Sequence, residues 1–268
     1  MESIKITSLQ NPKIKAALKL WKRSERDASD TFLVEGYREL SRAHHAELKI
    51  ETLFICRDLF LGSNEEKLIQ EIASRGALIL PCSSAVFQKL SYRDRPDGLI
   101  AVAKQLHLSL ESLKPSKVPF YVVAEGIEKP GNLGTILRSS DAVGVDAVIV
   151  CDKCTDIHNP NVVRASVGTL FTLPVVEAEG EATFDWLKKQ GMIIVAATPA
   201  AEREYTQIDL TQPVALAVGT EQYGLSKRWM EGADMQVKIP MLGVADSLNV
   251  AMATTLLLYE VIRQRRHG

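Results

Sequence analysis

The sequence has 268 residues, 46% of them hydrophobic and 24% charged, which is the composition of a folded globular protein large enough for two domains. Its formal net charge of −1 gives no overall support for a nucleic-acid partner, so any such role depends on local clusters. No apolar run reaches the roughly 18 to 20 residues that span a bilayer, and the start of the chain lacks the apolar core of a signal peptide, so we expect a cytoplasmic protein without a membrane partner.

The first element is basic. Apolar residues at helical spacing, with lysines and arginines between them, predict one amphipathic helix over residues 11–26. A solvated surface helix is one interpretation of its outer face, and contact with RNA phosphates is the other. The candidate RNA-binding residues on this face are Lys15, Lys19, Lys22 and Arg23.

Strands and helices then alternate up to residue 104. Strands are predicted at 32–36, 50–56, 78–81 and 98–104, with helices between them at 37–46, 65–76 and 84–91. This order predicts a compact α/β/α sandwich over residues 1–104.

A polar, proline-containing linker is predicted over residues 105–117, and a second domain over 118–268. Five near-continuous apolar runs, at 120–126, 146–151, 172–177, 192–197 and 213–219, predict strands buried on both faces of a mostly parallel sheet. Ligands of such sheets bind beyond the carboxyl ends of the strands, which directs attention to the loops after Glu125, Val218 and Ile239.

The cysteines do not indicate a metal or redox site. Cys151 and Cys154 are the only pair at a suitable spacing, and no second pair or paired histidine follows at zinc-site distance. We predict no bound zinc and no disulfide between these two residues.

The loop after Glu125 leads into a helix. Its glycines do not match the dinucleotide-binding or P-loop patterns, which disfavours a nicotinamide-dependent oxidoreductase. Asn132 is either a helix cap or a site residue. Arg138 is suited to binding phosphate, although a salt bridge is the commoner role of a helical arginine.

The other two loops also admit structural interpretations. Gly219 and Gly224 bracket the loop after Val218 and are explained by a turn alone. In the loop after Ile239, Ser247 or Asp246 is a candidate N-cap of the last helix.

The three loops taken together have a more specific pattern. The segments GNLGTILRSS, VGTEQYGLS and IPMLGVADSLNVA, in this order, resemble the three motifs of the SpoU/TrmH branch of the SPOUT methyltransferases, over Phe120 to Arg266. Residues 161–174 are similar to the helix and strand that lie between the first two motifs. The N-terminal segment resembles, in element order, the L30e-like RNA-binding domain of many members.

This resemblance implies a deep trefoil knot, a homodimer and S-adenosylmethionine as cofactor. It further implies two sets of site residues. The expected cofactor-binding residues are Gly219, Glu221, Ile239, Leu248 and Asn249. The expected catalytic residues are Asn132, Arg138, Glu221, Ser247 and Asn249. Thr220 and Ala251 depart from the usual pattern.

The implied reaction is methylation of a ribose 2′-hydroxyl of RNA, without a metal. An arginine whose pKa exceeds about 12 is a poor proton acceptor, so Arg138 is expected to orient the hydroxyl and its phosphate. Ribosomal RNA is the expected substrate, with transfer RNA as the alternative. A non-catalytic RNA-binding protein is the other alternative.

Overall fold

The structure is a computed structural model that describes residues 5–267, apart from the side chain of His267. It divides into two compact units. The first comprises the chain up to Leu106 together with His158–Thr172, and the second comprises His107–Ile157 and the chain from Leu173 onwards. The predicted domain boundaries at 104 and 118 remain predictions, and the structure adds segment 158–172 to the first unit.

The first unit is built on a four-stranded mixed sheet in the order β1-β4-β2-β3. Only β2 and β3 are parallel. Its elements are α1 (Pro12–Lys19), α2 (Arg23–Ser29), β1 (Thr31–Glu35), α3 (Tyr37–His45), β2 (Ile50–Ile55), α4 (Glu65–Ser74), β3 (Leu78–Pro81), α5 (Ser84–Leu90), β4 (Leu99–Lys104) and α7 (Pro160–Ala165).

The core of this unit follows from the apolar positions of α1 and α5. Ile14 and Ala17 of α1 and Phe87 of α5 are buried against sheet residues such as Phe54. On segment 158–172, Phe171 lies 6.2 Å from the Phe32 ring, measured between ring centroids. The α/β character of the N-terminal unit is therefore as predicted.

The single helix predicted over 11–26 is wrong, because the chain breaks at Leu20 between α1 and α2. Arg26 accounts for the break. Its guanidinium is buried and donates through Nη1 to the carbonyl oxygens of Leu20, at 2.8 Å, and Trp21, at 3.0 Å, carbonyls that a continuous helix would use internally. The four candidate RNA-binding residues are all exposed.

The second unit contains six parallel strands in the order β10-β8-β9-β5-β6-β7. Its elements are β5 (Phe120–Glu125), α6 (Pro130–Val143), β6 (Ala147–Cys151), β7 (Val175–Ala178), α8 (Gly180–Lys189), β8 (Ile193–Ala197), β9 (Val214–Val218), α9 (Lys227–Gly232), β10 (Met235–Val237) and α10 (Val250–His267). The strand expected to end near Ile239 is the short β10.

Both faces of this sheet are covered. Phe184 of α8 and Trp229 of α9 pack with Tyr121 and Val123 on one face. The alternate residues of β5, such as Val122, are equally buried, and α6 and α10 pack together on that side, with Ser139 and Thr255 hydrogen-bonded at 2.8 Å. This arrangement brings the start of α10 beside the start of α6, which assembles the site.

Candidate active site

A cavity of about 390 Å³ lies at the carboxyl ends of β8, β9 and β10. These three strands are neighbours in the sheet, so the loops that follow them meet at one edge. The loop after β8 contributes Thr198, Pro199 and Ala200 to the cavity wall. The volume falls within the range of small-molecule sites.

Gly219 gives the cavity its shape. A Cβ atom at this position would lie 2.2 Å from the carbonyl oxygen of Gly224 and 2.5 Å from the amide nitrogen of Leu225. Thr220 and Gly224 exchange two backbone hydrogen bonds of 3.0 Å, which close the loop tightly on itself. Only glycine fits at 219 while this loop keeps its conformation.

Three of the expected catalytic residues form one hydrogen-bonded cluster. Asn132 and Asn249 both donate from Nδ2 to Oε1 of Glu221, at 2.9 and 2.7 Å. Asn249 also donates to Oδ1 of Asn132, at 3.1 Å. The three motif loops, far apart in sequence, therefore meet at this cluster.

Lys129 completes the cluster and pairs with the second carboxylate oxygen of Glu221. The hydrogen bond from Lys129 lowers the pKa of Glu221, with smaller contributions in the same direction from the two asparagines. The same contact raises the pKa of Lys129. Glu221 is therefore held as a carboxylate, which favours a positioning role over proton abstraction.

The predicted capping roles near the site are wrong. Asn132 lies inside α6, which starts at Pro130 after Lys129, and its side chain is used by Glu221 and Asn249. Helix α10 starts at Val250, and Asn249 caps it by accepting from the amide of Ala251 at 3.1 Å. Ser247 and Asp246 precede the cap, so neither is the N-cap of α10.

The remaining candidate residues line the cavity, except for Arg138. Ser247, Ile239 and Leu248 line the cavity together with Gly219 and Glu221. Arg138 lies farther along α6, exposed, and it makes no hydrogen bond or ion pair with residues in the described range 5–267. The salt-bridge interpretation of Arg138 therefore has no support within this chain.

Two parts of the site were not anticipated from the sequence. Lys129 stands in the first motif loop next to Asn132, so proximity to the motif was a usable signal. Thr198 follows a predicted strand, but nothing in the sequence shows that β8 lies beside β9.

The cysteine pair is split between environments. Cys151 is buried in β6, and burial raises the pKa of its thiol to about 12, whereas Cys154 is exposed. Within residues 5–267 no group of three or more histidine, cysteine, aspartate or glutamate side chains is arranged to hold a metal ion. The absence of zinc stays a prediction. In the same range, no helix has the length and apolarity needed to cross a membrane.

Comparison with known families gives two matches. The SpoU rRNA Methylase family matches residues 119–259, and the MRM3-like substrate binding domain matches residues 11–101. Together they account for both halves of the chain.

Similar proteins include a 23S rRNA (uridine(2479)-2′-O)-methyltransferase of Streptomyces viridochromogenes, 31% identical over 93% of this chain and 88% of its own length. The 23S rRNA (guanosine(2553)-2′-O)-methyltransferase RlmP of Bacillus subtilis is 29% identical over 96% of this chain and 98% of its own.

Solved structures agree over nearly the whole chain. An RNA 2′-O ribose methyltransferase is 44% identical, with a TM-score of 0.85 over 98% of this chain and 100% of its own. An AdoMet-bound rRNA methyltransferase from Sinorhizobium meliloti is 32% identical, with a TM-score of 0.89 over 98% of both chains.

Proposed function

The chain belongs to the SpoU rRNA Methylase family, and on this premise we propose that it transfers a methyl group from S-adenosylmethionine to a ribose 2′-hydroxyl of ribosomal RNA. Its fold is that of the family, an N-terminal α/β substrate-binding domain followed by an α/β SPOUT domain of the trefoil-knot class. Similar proteins named for activity on 23S rRNA favour ribosomal RNA over transfer RNA.

The observation that carries this proposal is the position of the Asn132–Glu221–Asn249 cluster beside the cavity at the ends of β8, β9 and β10, since Glu221 belongs to both. The cavity fits S-adenosylmethionine in size, and the lack of a side chain at Gly219 lets the loop that forms its wall close tightly on Gly224. Gly219, Ile239 and Leu248 are the proposed cofactor contacts from its wall, with Glu221 and Asn249 beside them.

S-adenosylmethionine, when bound, would supply an electrophilic methyl group on a sulfonium. Transfer to the ribose 2′-oxygen would break the methyl–sulfur bond, leave S-adenosylhomocysteine and release the hydroxyl proton to water. The chain's contribution is to orient the hydroxyl and to stabilise the charge that develops on its oxygen. We assign the orienting role to Arg138, whose exposed guanidinium is free to bind a phosphate. Asn132, Glu221 and Asn249 hold the motif loops in place, and Ser247 contacts cofactor or nucleotide from the cavity wall.

RNA recognition is assigned to residues 1–104, with 105–117 as linker and 118–268 as the methyltransferase domain. The match of residues 11–101 to a substrate binding domain supports this division. The exposed basic surface of Lys15, Lys19, Lys22 and Arg23 is the proposed phosphate contact. A ribosomal RNA substrate supports the proposed cytoplasmic location.

A homodimer is supported by an apolar stripe on α10. Met252, Leu256 and Tyr259 are 58%, 42% and 54% exposed, and their spacing puts them on one face of the helix. Contiguous exposed apolar residues of this kind mark interaction surfaces. A second copy of the chain is the proposed partner.

Transfer of a labelled methyl group tests the function. Purified protein is incubated with methyl-labelled S-adenosylmethionine and either ribosomal or transfer RNA from cells that lack the gene, and the RNA is digested to nucleosides. We expect label in a 2′-O-methylnucleoside from ribosomal RNA. Label in transfer RNA alone would move the assignment to the alternative substrate, and label on a base would contradict the proposed chemistry.

A further inference from the structure

A second cavity, of about 820 Å³, lies wholly within the first unit. It is formed by the start of α3, the loop before α4, the loop between α5 and β4, and α7. We propose that this cavity binds an unpaired nucleotide of the RNA substrate. The proposal rests on the proposed function, and it specifies where and in what form the RNA is recognised.

The exposed charge of this cavity is predominantly positive. Arg38, Arg95 and Arg164 are exposed and make no ion pair within the described residues 5–267, and Asp94 is the exposed acid among the lining residues. Three unpaired guanidiniums around one cavity suit phosphate groups, which arginine binds in a bidentate manner. The lining as a whole contains four arginines and four acidic residues, so the positive excess is confined to its exposed side chains.

A fourth arginine pairs with two of the buried acids. Arg93 is bonded to Glu39 at 2.8 Å and to Asp97 at 3.3 Å, and both carboxylates belong to residues that are more than nine-tenths buried. It also donates to the carbonyl oxygen of Glu35 at 3.1 Å. Because Arg93 is committed to these contacts, Arg38, Arg95 and Arg164 are the arginines of the cavity that are open to a ligand.

The cavity wall also holds buried acceptors without partners. Within the part of the chain that the structure describes, Oδ1 of Asp97 and Oε2 of Glu65 have no hydrogen-bond donor, although these residues are only 8% and 4% exposed. A buried carboxylate oxygen without a donor is costly. A nucleotide supplies donors of the required kind through base amino groups and the ribose hydroxyl.

Aromatic rings lie beside one of these arginines, Arg164, and line a small neighbouring pocket that shares Arg93 and Arg164 with the cavity. Tyr92 stacks on Trp21, with ring centroids 5.1 Å apart, and the guanidinium carbon of Arg164 lies 5.9 Å from the Tyr92 centroid. Tyr92 is nevertheless 44% exposed. Aromatic rings beside arginines are the usual platform for unstacked RNA bases, which a duplex does not offer. Trp21 also precedes Lys22 and Arg23, so the platform continues the basic surface of α1 and α2.

The position of Arg164 depends on a long-range contact inside this unit. Arg42 of α3 donates to the carbonyl oxygen of Val167, just beyond α7. Segment 158–172 is thereby held against α3, and α7 presents Arg164 to the cavity. This explains why a segment between the first two methyltransferase motifs belongs to the RNA-binding unit.

The test is a binding titration of the full chain with a single-stranded RNA of about 12 nucleotides without self-complementarity, and with a duplex RNA of equal length. Tyr92→Leu keeps an apolar side chain against Trp21 but removes the ring. We expect its affinity for the single strand to fall at least about fivefold, the lower end of the value of one stacked base, while duplex affinity changes little. Tyr92→Trp, which keeps an aromatic ring at this position, should bind the single strand as the unaltered chain does.

The arginines have a matched control. Arg164→Gln should reduce the salt dependence of single-strand binding by about 0.7 units of slope, the value for one bound phosphate. Lys67→Gln removes the same charge from the same unit, at an 80% exposed side chain on α4 outside the cavity, and should leave the slope unchanged. In methyl transfer, Tyr92→Leu should raise KM without lowering kcat.

The proposal is overturned if Tyr92→Leu remains folded and binds the single strand as tightly as the unaltered chain, or if it loses affinity for the single strand and the duplex equally. It is also overturned if Arg164→Gln and Lys67→Gln have the same salt slope for single-strand binding. The titration needs no S-adenosylmethionine. Methyl transfer by the unaltered chain therefore tests the proposed function separately, and either can fail without the other.

Discussion

Replacing Gly219 by alanine tests whether the loop after β9 forms the cofactor site. The new Cβ would lie 2.2 Å from the Gly224 carbonyl oxygen, about 1.2 Å closer than the 3.4 Å at which ordinary van der Waals separation begins. The opposing atoms are backbone, so no side chain can rotate away. Overpacking of this kind costs about 1 to 3 kcal/mol.

That energy is well below the total stability of a typical domain, about 5 to 15 kcal/mol, so the variant should fold. The strain is relieved by opening the loop, which moves the cofactor contacts. We expect S-adenosylmethionine affinity to fall at least about tenfold, equivalent to about 1.4 kcal/mol, measured by isothermal calorimetry.

Gly131→Ala is the matched control for this experiment. Its Cβ meets nothing within 4 Å, and it lies in α6, where alanine is favoured over glycine by about 0.5 to 1 kcal/mol. Cofactor affinity and melting temperature should be retained or slightly raised. If Gly219→Ala bound S-adenosylmethionine as tightly as Gly131→Ala, the loop would not be the cofactor cradle.

Four further predictions concern catalysis, pH, assembly and RNA binding. Arg138→Ala should lower the single-turnover rate of methyl transfer about a hundredfold or more while cofactor binding stays intact. A substantial loss in Arg138→Lys would show that the planar guanidinium matters in addition to the charge. Near-normal transfer in the alanine variant would remove Arg138 from the active site. The pKa of Glu221 is lowered in the folded state, so its charge stabilises the fold above the usual glutamate pKa of about 4.3, and this contribution is lost as the pH falls through the lowered value. The difference in stability between Glu221→Gln and the unaltered chain, measured by thermal melts, should therefore vanish in acid. A difference that persists there would contradict the charged cluster. Leu256→Glu should be monomeric in sedimentation or light scattering, whereas Leu108→Glu, at an equally exposed leucine, should remain dimeric. A dimeric Leu256→Glu would exclude the α10 stripe as the dimer interface. Replacing the exposed Lys15, Lys19 and Lys22 by glutamate should lower RNA affinity and reduce the slope of its salt dependence by roughly one unit for each phosphate that is no longer bound. Unchanged affinity across a salt series would exclude that surface.

Local patterns were sufficient to predict the strands of both units, because alternating and continuous apolar runs report directly which residues are buried. They were also sufficient to select the three loops that meet at the site, since the carboxyl ends of parallel strands share one edge. The contacts within the cluster depend on strand order, which no local pattern encodes. Thr198 was missed for this reason, whereas Lys129 stands in the first motif loop, where proximity to Asn132 was a usable signal.

The errors have the same origin. The break between α1 and α2 depends on Arg26 turning inward to bond the carbonyl oxygens of Leu20 and Trp21, a tertiary preference that overrides helical periodicity. Asn249, rather than Ser247, caps α10 because the helix starts later than its apolar pattern suggests. The assignment of segment 158–172 to the first unit depends on contacts with α3 and β1 that are distant in sequence.

The most direct test of the central claim is a map of 2′-O-methylated nucleotides in total RNA from cells with and without the gene. We predict that one or more sites in ribosomal RNA lose methylation when the gene is deleted, regain it with the unaltered gene, and regain less of it with Gly219→Ala. An identical map of ribosomal RNA in both strains would contradict the account.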